Sequence, residues 1–161
     1  IHQEDANQLA RTIDVDLTYL DPPYNSRQYS RFYHVYENLV QWRKPQLYGT
    51  ALKPKEENMS DYCRNAAFSA FTDLVRHIKS RYLVVSYNNT YHSKSTSSEN
   101  KIKLEQLEEV LNKCGNTQVF NHEFKAFNSG KTEFDDHREY LFITEVDDEK
   151  RNRSFSTVLR G

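Results

Sequence analysis

Glycine is scarce, with only Gly49, Gly115, Gly130 and Gly161 in 161 residues, and none of them opens a glycine-rich loop of the kind that cradles a nucleotide or phosphate. Cysteine is scarcer still. Cys63 and Cys114 lie too far apart for metal-ligand spacing, so no metal site is expected, and they read as reduced core thiols of a cytoplasmic protein. No apolar run approaches transmembrane length, which argues against a membrane partner, and Ile1-His2-Gln3 is neither a signal peptide nor an initiator methionine. The expectation is a chain that begins partway through a larger protein. An excess of one charge is also missing: the net charge is −1 and the pI near 6.7, which counts against an autonomous, non-specific nucleic-acid binder. At 161 residues the chain fits one domain with a real core.

Aromatic rings are plentiful, 13% of residues with 11 Tyr, and many follow one stretch, Leu17-Thr18-Tyr19-Leu20-Asp21-Pro22-Pro23-Tyr24-Asn25. Asp14 to Leu20 reads as a buried strand that stops at Pro22. Two successive prolines fix two φ angles and remove two amide donors, so Asp21, the Pro22 carbonyl and the Tyr24 ring are held on a stiff spacer. In an open α/β sheet, ligands bind at the carboxyl ends of strands, which is where Asp21 falls. Such a set suits group transfer to the exocyclic amine of a nucleobase. That amine is a poor nucleophile, because its lone pair is delocalised into the ring. A carboxylate and a carbonyl that accept its two hydrogens pull the nitrogen toward tetrahedral geometry, and Tyr24 can stack on the base for about 1–3 kcal/mol. A paired base cannot reach the site, so it has to be flipped out of the duplex.

Asp21-Pro22-Pro23-Tyr24 resembles the catalytic motif of DNA amino-methyltransferases. The extension Asn25-Ser26-Arg27-Gln28-Tyr29 narrows the resemblance to Dam-like adenine methylases of restriction-modification systems. It implies S-adenosyl-L-methionine as cofactor and double-stranded DNA with a flipped adenine as partner. It also implies an α/β fold: part of a Rossmann-like methyltransferase sheet, parallel strands with flanking helices, ending in an antiparallel strand pair. On this resemblance Asp21, Pro22 and Tyr24 are the catalytic set. Asp5, with the small Ala6 beside it, matches the position that meets the cofactor's adenine, and Asp21 borders the cofactor as well; Asp5 equally reads as a helix N-cap. Pro23, Asn25, Arg27 and Tyr29 lie at the pocket mouth, where Arg27 suits a phosphate and Tyr29 a stack or wedge. Tyr87 and Asn88 match a Tyr-Asn that lines the target pocket, or else simply end a strand. The family's Phe-x-Gly-x-Gly element has no counterpart here. The expected organisation is therefore a partial catalytic domain over 1–146, without the main cofactor motif, and a charged tail or linker over 147–161.

The rest of the chain supports that layout. Gln8 to Thr12 suits one or two helical turns. Phe32, Val35, Tyr36 and Leu39 recur at helical spacing and are expected in the core. Residues 44–59, with Pro45, Gly49 and Pro54, read as a loop. A helix from Ser60-Asp61 carries Ala67, Phe71, Leu74, Val75 and Ile78 inward, and Tyr82 to Tyr87 reads as a strand buried on both faces. Lys101 to Cys114 is a helix capped by Gly115, followed by strands Val119 to Phe127 and Arg138 to Val146. Lys125, Phe127, Ser129 and Lys131 on the joining loop suit an approach to DNA. The adjacent His92 and Ser93 have no acid to orient them and carry no nucleophile reading, and His34 has no catalytic role.

A different class of function stays open: a non-catalytic fragment, or one subunit of a split methyltransferase that pairs with a missing N-terminal half. Transfer to RNA, protein or cytosine is also open on the four-residue motif alone. Asp21 in place of a leading Asn, and the Asn25–Tyr29 extension, favour DNA adenine.

Overall fold

The computed structural model describes residues 1–50, 52–55, 59–90, 99–123 and 136–156. A four-stranded sheet has the order β1-β4-β6-β5, where β1 is Asp14–Leu20, β4 Lys79–Asn88, β5 Gly115–Glu123 and β6 Arg138–Val146. β1 pairs parallel with β4; β6 runs antiparallel to both β4 and β5. This is the expected mixed α/β sheet of a Rossmann-like methyltransferase, parallel first and closing in an antiparallel pair.

Two helices form the core layer. α4 (Ala67–His77) buries Ala67, Phe71, Leu74 and Val75, and α5 (Leu104–Cys114) buries Leu107, Val110, Leu111 and Cys114. Their apolar stripes meet Leu83, Val85 and Tyr87 of β4 and Phe142 of β6 in one cluster. The short α1 (Ala6–Leu9) is tied to α4 through Asn7, whose side-chain amide donates to the Ala70 carbonyl and to Asp73, both at 2.8 Å. Arg11 adds a two-pronged contact to the Asp73 carboxylate at 2.7 and 2.9 Å. Gly115 both caps α5 and opens β5; a Cβ there would lie 1.9 Å from the Glu145 carbonyl oxygen, so only glycine lets β5 reach β6.

Four expectations are corrected. β1 is not buried: Leu17 is 55% and Tyr19 57% exposed. β4 is buried on one face, since Leu83, Val85 and Tyr87 are covered while Tyr82, Val84 and Ser86 are only half-buried. The apolar run cannot say how many layers of covering helices the same chain supplies. The Phe32, Val35, Tyr36 and Leu39 stripe is at least 54% exposed, on α2 (Tyr29–Phe32) and α3 (His34–Gln41), because no described element packs over it. Periodicity reports that a face wants a partner without placing that partner in the chain. Finally, Asp148–Ser156 is no loose tail but a helix, α6, with Arg151 and Phe155 buried. Arg151 donates to the Ile78 carbonyl at 2.7 Å just past the end of α4, and Lys150 to that of Gly115 at 2.6 Å. Its charges satisfy orphan helix-end carbonyls instead of facing water.

Within 44–59, Leu47–Tyr48 and Lys53–Pro54 form a small antiparallel hairpin, β2 and β3. Lys125, Phe127, Ser129, Lys131, His92 and Ser93 lie outside the described residues, as does Arg160 in the tail.

Candidate active site

Asp21 is the first residue past β1, one step beyond Leu20 opposite Val85, so it comes level with Ser86 on β4. Ser86 Oγ donates to Asp21 Oδ1 at 3.2 Å, the Tyr24 hydroxyl donates to the same oxygen at 2.9 Å, and the Tyr19 hydroxyl donates to Ser86 Oγ at 2.9 Å. One oxygen of Asp21 is thereby fixed by a two-donor clamp, and Oδ2 takes no hydrogen bond among the described residues. Burial raises the Tyr24 phenol well above its usual range against the lowering bond from Ser86, and the bond and charge of Asp21 add to the rise. Tyr24 therefore stays a protonated donor at neutral pH.

The loop after the prolines is anchored from behind. The Lys101 amide donates to the Tyr24 carbonyl at 2.8 Å, and the Tyr87 hydroxyl donates to it at 3.3 Å. The Tyr24 and Tyr87 rings meet edge to face, with centroids 4.9 Å apart. Tyr87 is 0% exposed and its phenol is pushed up to about 12 by burial, against lowering bonds from the Ile102 and Lys101 amides. It supports Tyr24 from inside the core and is not among the residues that line the two cavities at Asp21. Asn88 is also buried, accepting from the Thr90 amide at 3.1 Å and from Asn100 at 2.9 Å, which is how its side chain ends the strand. Asn25 Oδ1 accepts from the Arg27 amide at 3.0 Å, turning the loop, while Arg27 and Tyr29 are exposed at its outer side. Tyr29 stacks on Tyr33, with ring centroids 6.1 Å apart.

Two cavities meet at Asp21. One, of about 700 Å³, lies along the free edge of β1 and brings together Asp5, Ala6, Asp21, Pro22 and Pro23 over an apolar floor of Phe71 and Leu74. Asp5 also caps α1, accepting from the Gln8 amide at 3.0 Å, so the capping reading holds. The other, of about 490 Å³, lies on the far side of Asp21 and Tyr24 and includes Ser86, Phe120, His122 and Glu139. Tyr19 and Asp21 belong to both walls. The Glu139 carboxyl is raised by burial and by the neighbouring Asp21 charge, partly offset by a hydrogen bond from Asn88.

Sequence reasoning missed Tyr19, Ser86, Phe120 and Glu139. Ser86 did leave a signal, a hydroxyl inside the apolar run Leu83-Val84-Val85-Ser86-Tyr87, but its partner Asp21, level with it beside the neighbouring strand and 65 residues earlier, is legible only once the register is known. It also missed the Asn7–Tyr62 pair below the first cavity, where the Tyr62 hydroxyl donates to Asn7 Oδ1 at 2.9 Å. No cluster of three or more potential metal ligands occurs among the described residues. No helix among them is long and apolar enough to cross a membrane.

The family model of D12 class N6 adenine-specific DNA methyltransferases matches residues 1–81, Asp21 to Tyr24 included. Among curated proteins, the type II methyltransferase M.FokI of Planomicrobium okeanokoites is 32% identical over 152 residues, covering 91% of this chain and 22% of the relative. M.NlaIII of Neisseria lactamica is 33% identical over 152 residues, 90% of this chain and 42% of that protein. The modification methylase StsI of Streptococcus sanguinis is 42% identical over 88 residues, 53% of this chain and 14% of its own length. The chain thus spans less than half the length of these relatives.

Proposed function

The chain belongs to the D12 class N6 adenine-specific DNA methyltransferase family, and on that premise we propose that it carries the acceptor-base portion of a site-specific enzyme that methylates the exocyclic amine of an adenine flipped from duplex DNA. The observation that carries the reading is Asp21, clamped on one oxygen by Tyr24 and Ser86 at the wall between two cavities. Its second oxygen and the Pro22 carbonyl accept the two amine hydrogens and turn the nitrogen lone pair outward. An unperturbed aspartate has a pKa of about 3.9, so Asp21 serves by holding these hydrogens until the nitrogen becomes cationic, not as a strong base.

S-adenosylmethionine, when bound, supplies a methyl group on a cationic sulfur. The larger cavity fits that donor chemically: Glu4, Asp5 and Asp21 line it with carboxylates suited to a cation, over the apolar Phe71 and Leu74. Asp5 and Ala6 border the cofactor's adenine end. Arg27 and Tyr29, exposed at the outer end of the loop, face the DNA. A reducing cytoplasm suits both DNA as substrate and the two buried cysteines, neither of which is in a disulfide.

A second reading is favoured by β1. Its outer edge is unpaired in the four-stranded order, Val15, Leu17 and Tyr19 are exposed, and no glycine-rich loop borders the 700 Å³ cavity. That combination fits a catalytic half completed by a further polypeptide segment or a partner subunit. Isothermal titration of S-adenosylmethionine into the purified chain, with and without DNA carrying an unpaired adenine, separates the two. Micromolar binding supports a self-sufficient site; no binding supports the completed-half reading. With the site complete, Asp21→Ala abolishes transfer and Tyr24→Phe retains much of it; equal loss in both would remove the stacking role of Tyr24.

A further inference from the structure

Between Asn25, beside the Asp21 loop, and Ser60, on the wall of the 700 Å³ cavity, the chain makes an excursion that holds α2, α3 and the β2–β3 hairpin. α2 packs on α3 and β2 on β3, and none of the four makes a comparable contact with the sheet, α4 or α5. The Ser60 amide donates to Gln28 Oε1 at 3.2 Å and ties the two ends of this arm together. Its charge differs from that of the rest of the chain. Over residues 25–55 six Lys or Arg stand against one acid, Glu37, and elsewhere 16 stand against 22, so an arm of net +5 projects from a body of net −6.

α3 has two unlike sides. Val35, Tyr36 and Leu39 form the apolar stripe, whereas His34, Glu37, Asn38 and Gln41, spaced i, i+3, i+4 and i+7, form a polar one. The polar side faces Arg43 and Lys55 across a groove of about 280 Å³. Trp42 and Lys44 turn the chain at the end of α3, with φ of 52° and 48°. That left-handed region is sparsely populated by residues with side chains, and such positions cluster at ligand clamps. Lys44 Nζ stands 4.6 Å over the exposed Trp42 ring, and Lys53 Nζ 5.7 Å over that of Phe32. Arg43, Lys44, Lys53 and Lys55 make no ion pair among the described residues.

Resting on the adenine-methyltransferase reading, we propose that this arm is a clamp on the sugar-phosphate backbone of the duplex that flanks the target base. Arg43 and Lys55 bind phosphates at the groove, Lys44 and Lys53 add charge beside them, and the Asn38 amide donates to a backbone oxygen. A duplex carries one negative charge about every 1.7 Å, so the body alone, at net −6, repels it. Binding therefore requires cations gathered where the duplex lies, and the arm is rooted where a flipped base enters, next to Asp21. Glu37 is the one carboxylate of the groove. The Gln41 amide donates to its Oε2 at 2.8 Å, which holds it along the helix, and Arg43 and Lys55 outnumber it. Contacts of this kind fix register and orientation without reading sequence. A chain whose total charge of −1 speaks against DNA binding thus carries a basic surface confined to one projection.

The test is equilibrium binding of the purified chain, between about 50 and 200 mM salt, to paired duplexes of unrelated sequence and to one with an unpaired adenine. Each phosphate contact contributes about 0.9 to the slope of log K against log salt, so Arg43→Gln combined with Lys55→Gln should flatten that slope by about 1.8. The same variant should weaken every duplex by a similar factor and keep the preference for unpaired adenine. Lys79→Gln, at the amino end of β4 opposite Asp14 and so at the far rim of the sheet, should leave the slope as it is. An unchanged slope in the double variant overturns the inference, as does a loss confined to one sequence, which would make the groove a reader of bases. Equal flattening by Lys79→Gln overturns it too, since total charge and not the arm would then act, and so does a wild type that binds no duplex at the lowest salt. All four outcomes leave the functional reading standing. That reading fails instead if the wild type binds duplex with the expected slope but shows no preference for unpaired adenine, and the placement of the target base fails with it. Thermal midpoints guard against misfolding: Arg43 and Lys55 are exposed, so the double variant should melt with the wild type.

Discussion

Tyr87→Phe separates a residue that touches substrate from one that holds the residue that does. The Tyr87 hydroxyl accepts from the Ile102 amide at 3.2 Å and donates to the Tyr24 carbonyl at 3.3 Å, and the side chain is fully buried. Removing the oxygen leaves the Tyr24 carbonyl its 2.8 Å bond from the Lys101 amide, but strips the Ile102 amide of its partner next to a fully buried side chain. An unsatisfied buried donor costs about 1–3 kcal/mol, which corresponds to roughly 5- to 150-fold faster opening of that segment. Native-state hydrogen exchange should show this acceleration at Ile102 and its neighbours, with little change at Val84 or Ile143. The edge-to-face contact with Tyr24 survives, because it involves only the rings. Affinity for DNA with an unpaired adenine should therefore fall less than the exchange rate rises. Unchanged exchange at Ile102 with a large loss of adenine affinity would refute the propping role and return Tyr87 to the substrate.

Other substitutions probe the frame around the site. Gly115→Ala should destabilise the protein by about 1–3 kcal/mol or more, read by urea titration, because the new methyl meets the β6 backbone and neither partner can swing away. Asp73 is held below the usual carboxylate range: burial opposes the shift, but bonds from Arg11 and Asn7 and the charges of Arg11 and His77 outweigh it. A depressed carboxyl stabilises above its unfolded pKa of about 3.9, and that contribution is lost as pH falls through the folded value. Asp73→Asn should therefore flatten the acid limb of a stability–pH curve and loosen α1. The Cys114 thiol, pushed up to about 11 by burial, should resist alkylation at pH 8 until the protein unfolds, as timed labelling in denaturant would show. Leu39→Glu on the 63% exposed face of α3 should change the melting free energy of the isolated chain by no more than about 0.5 kcal/mol.

The strand that carries Asp21 was legible to the residue, since β1 ends at Leu20 where the prolines begin, and β6 likewise spans the expected Arg138–Val146. Local chemistry decides such boundaries: a proline stops pairing wherever it falls. The apolar stripes of α4 and α5 were legible for a related reason, as they find partners within the same chain, but the helix expected from Ser60 begins only at Ala67, after a separate 3-10 turn over Asp61–Cys63, and ends before Ile78. α2 and α3 carry an equally clear stripe and stay exposed, because a period of 3.6 residues encodes a demand for cover and not its source. α6 failed in the opposite sense. With Phe155 as its one deep apolar anchor, nine mostly charged residues looked solvated, yet Arg151 and Lys150 are spent on carbonyls contributed 73 and 35 residues earlier. At the site, the motif gave Asp21, Pro22 and Tyr24, whereas Ser86, Phe120 and Glu139 come from three other strands and depend on register.

The position of β1 at the sheet edge explains how one carboxylate can border two cavities. A side chain on a central strand is walled in by neighbours on both sides. At the end of an edge strand, Asp21 borders the cavity along the free edge, with Asp5 and Pro22, and the cavity across the open face, with Ser86 and Glu139. Methyl transfer needs donor and acceptor to approach one nitrogen from opposite directions, and a residue set between two cavities can hold that nitrogen while leaving both approaches clear. The stiff Pro22-Pro23 spacer, the bond from Lys101 and the ring of Tyr87 then make sense as a single arrangement. They remove freedom from Tyr24, whose hydroxyl in turn fixes Oδ1 of Asp21 and leaves Oδ2 to the proposed amine contact. Pre-organisation of this kind lowers the entropy lost on reaching the reactive geometry. The exposed face of β1 is then the counterpart of the same design, since an edge free to border the 700 Å³ cavity is also an edge that no described strand pairs.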